Sequence, residues 1–151
     1  MSEKSRAKRS WATIWWIVFI TCLVAALFLS NQTGTSSAKV SNKVAREFWD
    51  PLEQLFPNLN DDEYVEFSYF VRKAGHFLVH VALAGSLIQA LYRSFRRKGL
   101  AVILTVIIAC AIAIFDEVVQ LRAPGRVWAV TDIGINVIGA LIGTCLSGIT
   151  F

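Results

Sequence analysis

Arg72, His76 and His80 follow one another at intervals of four residues. On a helix they share one face over about 12 Å, at 1.5 Å per residue. Lys73 sits beside them. A second polar set, Asp116, Glu117 and Gln120, closes a long apolar run, and a third follows: Arg126, then Asp132 and Asn136 ahead of Gly139 and Gly143, at offsets of four, three and four. Guanidinium and ammonium groups suit contacts with phosphate or carboxylate oxygens, carboxylates orient such cations, and imidazole and amide groups add neutral hydrogen bonds. His76 with Asp116 or Glu117 also has the composition of a general acid–base pair, so binding and catalysis are both open. His76 and His80 are the one pair at ligand spacing within a helix. With no third ligand from that segment, no metal is assigned. P-loop, GxSxG, HExxH and GxGxxG patterns are absent, and no cofactor is expected.

The elements that must position these groups follow from composition. The chain has 151 residues, 55% of them hydrophobic and only 17% charged, with a mean hydropathy of +0.53. Soluble domains run near 45–50% apolar and about 25% charged. The surplus of apolar residues excludes a disordered chain and a disulfide scaffold and leaves the integral-membrane class. Four segments approach or exceed the roughly 20 residues that cross a bilayer: Trp11–Ser30, Ala74–Tyr92, Leu100–Leu121 and Val127–Ile149. The first is too long for the apolar centre of a signal peptide and lacks a clear cleavage site, so it reads as a retained helix. Trp11, Trp15 and Trp16 suit headgroup level. Cys22, Cys110 and Cys145 lie inside apolar runs without ligand spacing and read as small buried hydrophobes.

The net charge of +4 resolves into two tight groups, Lys4/Arg6/Lys8/Arg9 and Arg93/Arg96/Arg97/Lys98, each against an apolar run. Without interleaved aromatics these are topology signals, not a nucleic-acid surface. With both termini cytoplasmic, the tail (residues 1–10) and the 93–98 loop hold eight basic residues against Glu3, and the other side holds seven basic and ten acidic. The positive-inside rule selects that orientation. The outer loop, residues 31–70, begins with polar turn-forming residues. Val40, Val44, Phe48, Trp49 and Leu52 then recur at near-helical spacing, predicting an amphipathic helix on the outer membrane surface, limited by Pro51 and Pro57. Asn60 with Glu63 predicts a second helix start leading through Tyr64, Phe67 and Phe70 into span two. The expected architecture is an all-α polytopic plasma-membrane protein, one domain over 1–151, with four transmembrane helices plus an extracytoplasmic amphipathic helix. In that topology the outer ends of spans two, three and four coincide. Arg72, Lys73, His76, His80, Asp116, Glu117, Gln120, Arg126, Asp132 and Asn136 are then expected to form one outward-open polar pocket.

The chain resembles the VanZ-like family of small bacterial membrane proteins. The resemblance rests on Arg72-Lys73-Ala74-Gly75-His76-Phe77 and on Asp116-Glu117-Val118-Val119-Gln120 followed by Pro124-Gly125-Arg126, Asp132, Asn136 and Gly139, over about residues 70–148. One position departs: His80 stands where the family pattern usually has tyrosine. The resemblance implies the envelope of a bacterium, Gram-positive by the family's habit, and a link to low-level resistance to the glycopeptide teicoplanin. Three functions fit. The pocket captures an anionic lipid headgroup or lipid-linked cell-wall precursor, or interacts with the glycopeptide. Alternatively His76, Asp116 and Glu117 act on a lipid-borne substrate. In the third reading, Gly139 and Gly143 form a notch for a partner helix in a scaffold of envelope proteins.

Overall fold

The computed structural model describes residues 3–150, with side chains from residue 10 onward. The chain is all-α. Its helices are α1 (Glu3–Ser30), α2 (Gly34–Leu55), α3 (Asp61–Phe95), α4 (Lys98–Gln120) and α5 (Val130–Gly148), with no strand among the described residues. Four helical stretches are long and apolar enough to cross a membrane: Ser10–Ser30, α3, α4 and α5.

Local chemistry sets the helix boundaries. Asn60 and Glu63 form the anticipated capping box. The Glu63 N–H donates to Asn60 Oδ1 at 3.0 Å, and the Asn60 N–H donates to Glu63 Oε2 at 2.9 Å. Asp61, Asp62 and Glu63 place negative charge at the positive end of the helix. From that start α3 runs unbroken for 35 residues, about 52 Å at 1.5 Å per residue. It therefore begins well before Ala74 and exceeds the roughly 30 Å hydrocarbon core. The expected polar turn at 30–37 is shorter than anticipated, because the Thr33 side chain accepts from the Ser36 N–H at 3.2 Å and starts α2 at Gly34. Pro51 does not end α2, which continues to Leu55. Residue 51 is exposed, so the carbonyl it leaves without a helical partner is open to solvent. The fourth span starts at Val130, three residues later than expected, after an irregular connection.

Helix α3 is the hub. Its lower half packs Leu83, Leu87, Ile88 and Leu91 against Phe19 and Ala26 of α1 and Ala101 of α4. Ala84, Ala109 and Ala140 form a small-residue layer that brings α3, α4 and α5 close. Helices α3 and α5 run parallel at near-contact distance. A Cβ on Gly139 would stand 2.6 Å from the Phe77 carbonyl oxygen, and one on Gly143 would collide with the Val81 backbone. The glycine notch is thus filled by the neighbouring helix α3 of the same chain, against which both glycines pack.

Helix α2 is amphipathic as its spacing predicts, and of the row read from that spacing it is Trp49, joined by Ser41 and Ala45, that docks on the bundle. Ser41, Ala45 and Trp49 are buried. Trp49 packs on Tyr64 and Phe67 of α3, each at 5.5 Å between ring centroids, and the Tyr64 hydroxyl donates to the Asn42 carbonyl at 3.1 Å. Val40, Val44, Phe48 and Leu52, the rest of that row, keep exposed surface. Small residues at 41 and 45 allow the close approach to α3.

Candidate functional site

A cavity of about 200 Å³ opens between the C-terminal end of α1, the first half of α2 and the middle of α3. Its walls are largely apolar: Ala26 and Leu29 from α1, Val40 and Val44 from α2, Val71, Gly75 and Val79 from α3. Its polar groups are Ser30, Gln32, Ser37 and Ser41 together with Arg72, His76, His80 and Asp116. The i, i+4 spacing accounts for the three from α3, because Arg72, His76 and His80 lie on the face that α3 turns toward α1 and α2, and Asp116 reaches the cavity from α4.

Around this cavity the polar groups form a connected chain. The Ser30 hydroxyl donates to Asp116 Oδ1. Asp116 Oδ2 accepts from Gln120 Nε2 at 3.0 Å and lies 3.9 Å from His76 Nδ1. Gln120 Oε1 in turn accepts from Arg126 Nη1 at 3.2 Å. His80 Nδ1 donates to the His76 carbonyl at 3.0 Å, and its Nε2 is buried without a partner among the described residues. Lys73 points elsewhere, into an ion pair with Asp132 of α5. Arg72 and Lys73 both approach the Tyr69 ring, at 5.1 and 4.8 Å. Arg72 makes no salt bridge among the described residues.

The expected single pocket of ten residues is divided. Arg72, His76, His80 and Asp116 line the cavity. Lys73, Glu117, Gln120, Arg126, Asp132 and Asn136 lie outside its lining. The physical reason is the helix itself: one residue of advance along α3 rotates the side chain by about 100°, so Lys73 faces α5 where Arg72 faces the cavity. The second group still belongs to the same layer of the bundle. Glu117 Oε1 accepts from the Ala129 N–H at 2.8 Å and pins the start of α5. Glu117 Oε2, both amide atoms of Asn136, and Arg126 Nε and Nη2 are buried without partners among the described residues. Burial, and then the like charge of Arg72, push the Arg126 guanidinium below its ordinary range, yet guanidinium stays cationic at any ordinary pH. Among the described residues no three His, Cys, Asp or Glu side chains converge as metal ligands would.

Ser30, Gln32, Ser37 and Ser41 line the cavity without having been singled out in the sequence. Ser30 is only 1% exposed and its partner Asp116 is 86 residues away, so no local spacing marks it. The connection between α4 and α5 closes the same region from outside. Gly125 adopts φ +76°, a left-handed value suited to glycine, and the Pro124 carbonyl accepts from the Gly34 N–H at 2.9 Å. A Cβ on Gly34 would collide with Gly125, so the start of α2 can meet this turn only as glycine.

A family model described as VanZ/LLP1 matches residues 15–150. No curated protein and no solved structure matches the chain.

Proposed function

The chain belongs to the VanZ/LLP1 family, and from that premise we propose that this membrane protein binds an amphipathic molecule with an anionic headgroup in the α1–α2–α3 cavity. The observation that carries the reading is the pairing of apolar walls with Arg72, a cation without a carboxylate partner among the described residues. An acyl or isoprenyl chain would lie along Leu29, Val40, Val44 and Val79. Phosphate or carboxylate oxygens would meet Arg72, and His76 and Ser41 would add neutral hydrogen bonds. Lys73, Glu117, Gln120, Arg126, Asp132 and Asn136 would hold the surrounding layer in register. With both termini cytoplasmic, the cavity would face the outer leaflet of the plasma membrane. A lipid-linked cell-wall precursor is the substrate class that fits there, and sequestering it, or altering glycopeptide access to it, would link the protein to teicoplanin-type resistance. Lipid analysis of the protein extracted in native membrane patches tests this. Wild type should retain an anionic lipid that Arg72→Ala loses. Equal lipid content in both would contradict it.

A second reading rests on one distance. His76 Nδ1 and Asp116 Oδ2 lie 3.9 Å apart at the cavity, a carboxylate placed to orient an imidazole. In that reading His76 takes a proton from an attacking water and returns it to the leaving oxygen of a lipid-borne ester. His76→Gln would then abolish turnover of the bound lipid while leaving its retention intact. Loss of retention without any turnover in wild type would favour binding alone.

A further inference from the structure

At the other end of the bundle from the cavity, two buried hydrogen-bond donors have no acceptor among the described residues. The Trp16 indole N–H donates to Ser94 Oγ at 3.1 Å, which fixes the start of the α1 span beside the end of α3. In that antiparallel register Trp15 stands level with residues 93–95. Trp15 Nε1 and Arg93 Nε are both buried, and neither has a partner among the described residues. The chain then turns through Arg96, whose φ of 59° is left-handed, into α4. Arg97 occupies the N-cap of α4 without a side-chain hydrogen bond to the helix, and the first turn carries no acid. Arg96 and Arg97 are exposed. The first turns of α1, which carry Lys4, Arg6, Lys8 and Arg9, reach the same end, where the sequence offers one acid, Glu3. Phe95, Leu100 and Trp11 are exposed apolar residues at this rim, at 50%, 38% and 55%.

We propose that this rim is a second binding site, for a phosphate group carried by an anionic membrane lipid, with Arg93 Nε and Trp15 Nε1 as its buried donors and Arg96 and Arg97 as its outer cations. Buried donors without acceptors carry a desolvation cost that an oxyanion removes. The uncapped N-terminus of α4 adds N–H groups and a positive dipole end toward the same loop. Phe95, Leu100 and Trp11 are where the acyl chains would pack. Free inorganic phosphate shares the oxyanion chemistry but has no use for this apolar rim, which is why the lipid is favoured. The site stands apart from the cavity, and neither reading depends on the other.

Photoactivatable phosphatidylglycerol in nanodiscs of otherwise zwitterionic lipid tests the assignment on the full chain, with cross-linked peptides mapped by mass spectrometry. Cross-links should concentrate on the peptides containing residues 11–16 and 93–100. Arg93→Gln should lower them about tenfold, as loss of a charged hydrogen bond does, and Trp15→Phe about threefold, since it removes only one neutral donor and keeps the ring packing. Cross-links to cavity peptides should be unchanged in both variants. Trp15→Phe preserves the fold even if Arg93→Gln does not. Cross-linking at this rim that is insensitive to both substitutions would overturn the proposal. So would millimolar inorganic phosphate displacing the lipid completely, which would assign the site to the free ion.

Discussion

Arg72 and Lys73 are adjacent in sequence and alike in charge, yet one rotation of the helix separates their roles. Lys73 is neutralised by Asp132, whereas Arg72 meets the cavity with no carboxylate partner among the described residues. Arg72→Ala should therefore weaken retention of an anionic lipid about tenfold, and Arg72→Lys should recover part of that, because a point charge keeps the attraction but not the forked geometry. Retained-lipid mass spectrometry reads both. Lys73→Ala should instead show in stability. It strands a buried carboxylate, and a lower unfolding temperature by about 2–4 °C per kcal/mol is the expected sign. At this scale the sequence was legible where chemistry repeats locally: Arg72, His76 and His80 announce a shared face by spacing alone. Ser30 was not, because a single serine at the end of an apolar run looks like any span terminus until the fold sets Asp116 beside it.

Between elements, contacts of small residues decide what packs where. Gly143 of α5 meets the Val81 backbone of α3 with no room for a Cβ, so Gly143→Leu should separate the two helices, and with them the Lys73–Asp132 pair. The expected outcome is loss of folded protein in a thermal-unfolding assay, a larger effect than the roughly 1–3 kcal/mol of ordinary overpacking, because backbone atoms cannot move aside as side chains do. Gly125→Ala should cost about 1–2 kcal/mol through its left-handed φ, and by loosening the Pro124–Gly34 hydrogen bond it should also lower lipid retention at the cavity. Unchanged unfolding temperature and retention would contradict that coupling. Helix α2 shows why spacing was an incomplete guide here. Periodicity marked Val40, Val44, Phe48, Trp49 and Leu52 as one row, but it did not show that Trp49 docks with Ser41 and Ala45 while the others keep exposed surface. Which stripe packs depends on the surface of α3 opposite, and that surface is 15 or more residues away in the chain.

For the molecule as a whole, the distribution of apolar residues made the all-α, four-span architecture readable from composition and run length. What composition could not supply was the division of its polar layer. Ten residues at one depth suggested one pocket; four line the cavity between α1, α2 and α3, and six lie outside that lining, with Asp116 and Gln120 hydrogen-bonded across the division. In the function proposed above, the cavity is where this membrane protein would meet its ligand, and the basic rim would hold a second lipid at the opposite end. A photoreactive amino acid placed at Val44, in the cavity wall, and separately at Ile103, exposed on α4, tests that most directly in living membranes. Adducts from Val44 should be dominated by one anionic-headed lipid class and should vanish in Arg72→Ala, whereas adducts from Ile103 should mirror the bulk membrane. The same bulk mixture at both positions would contradict the account.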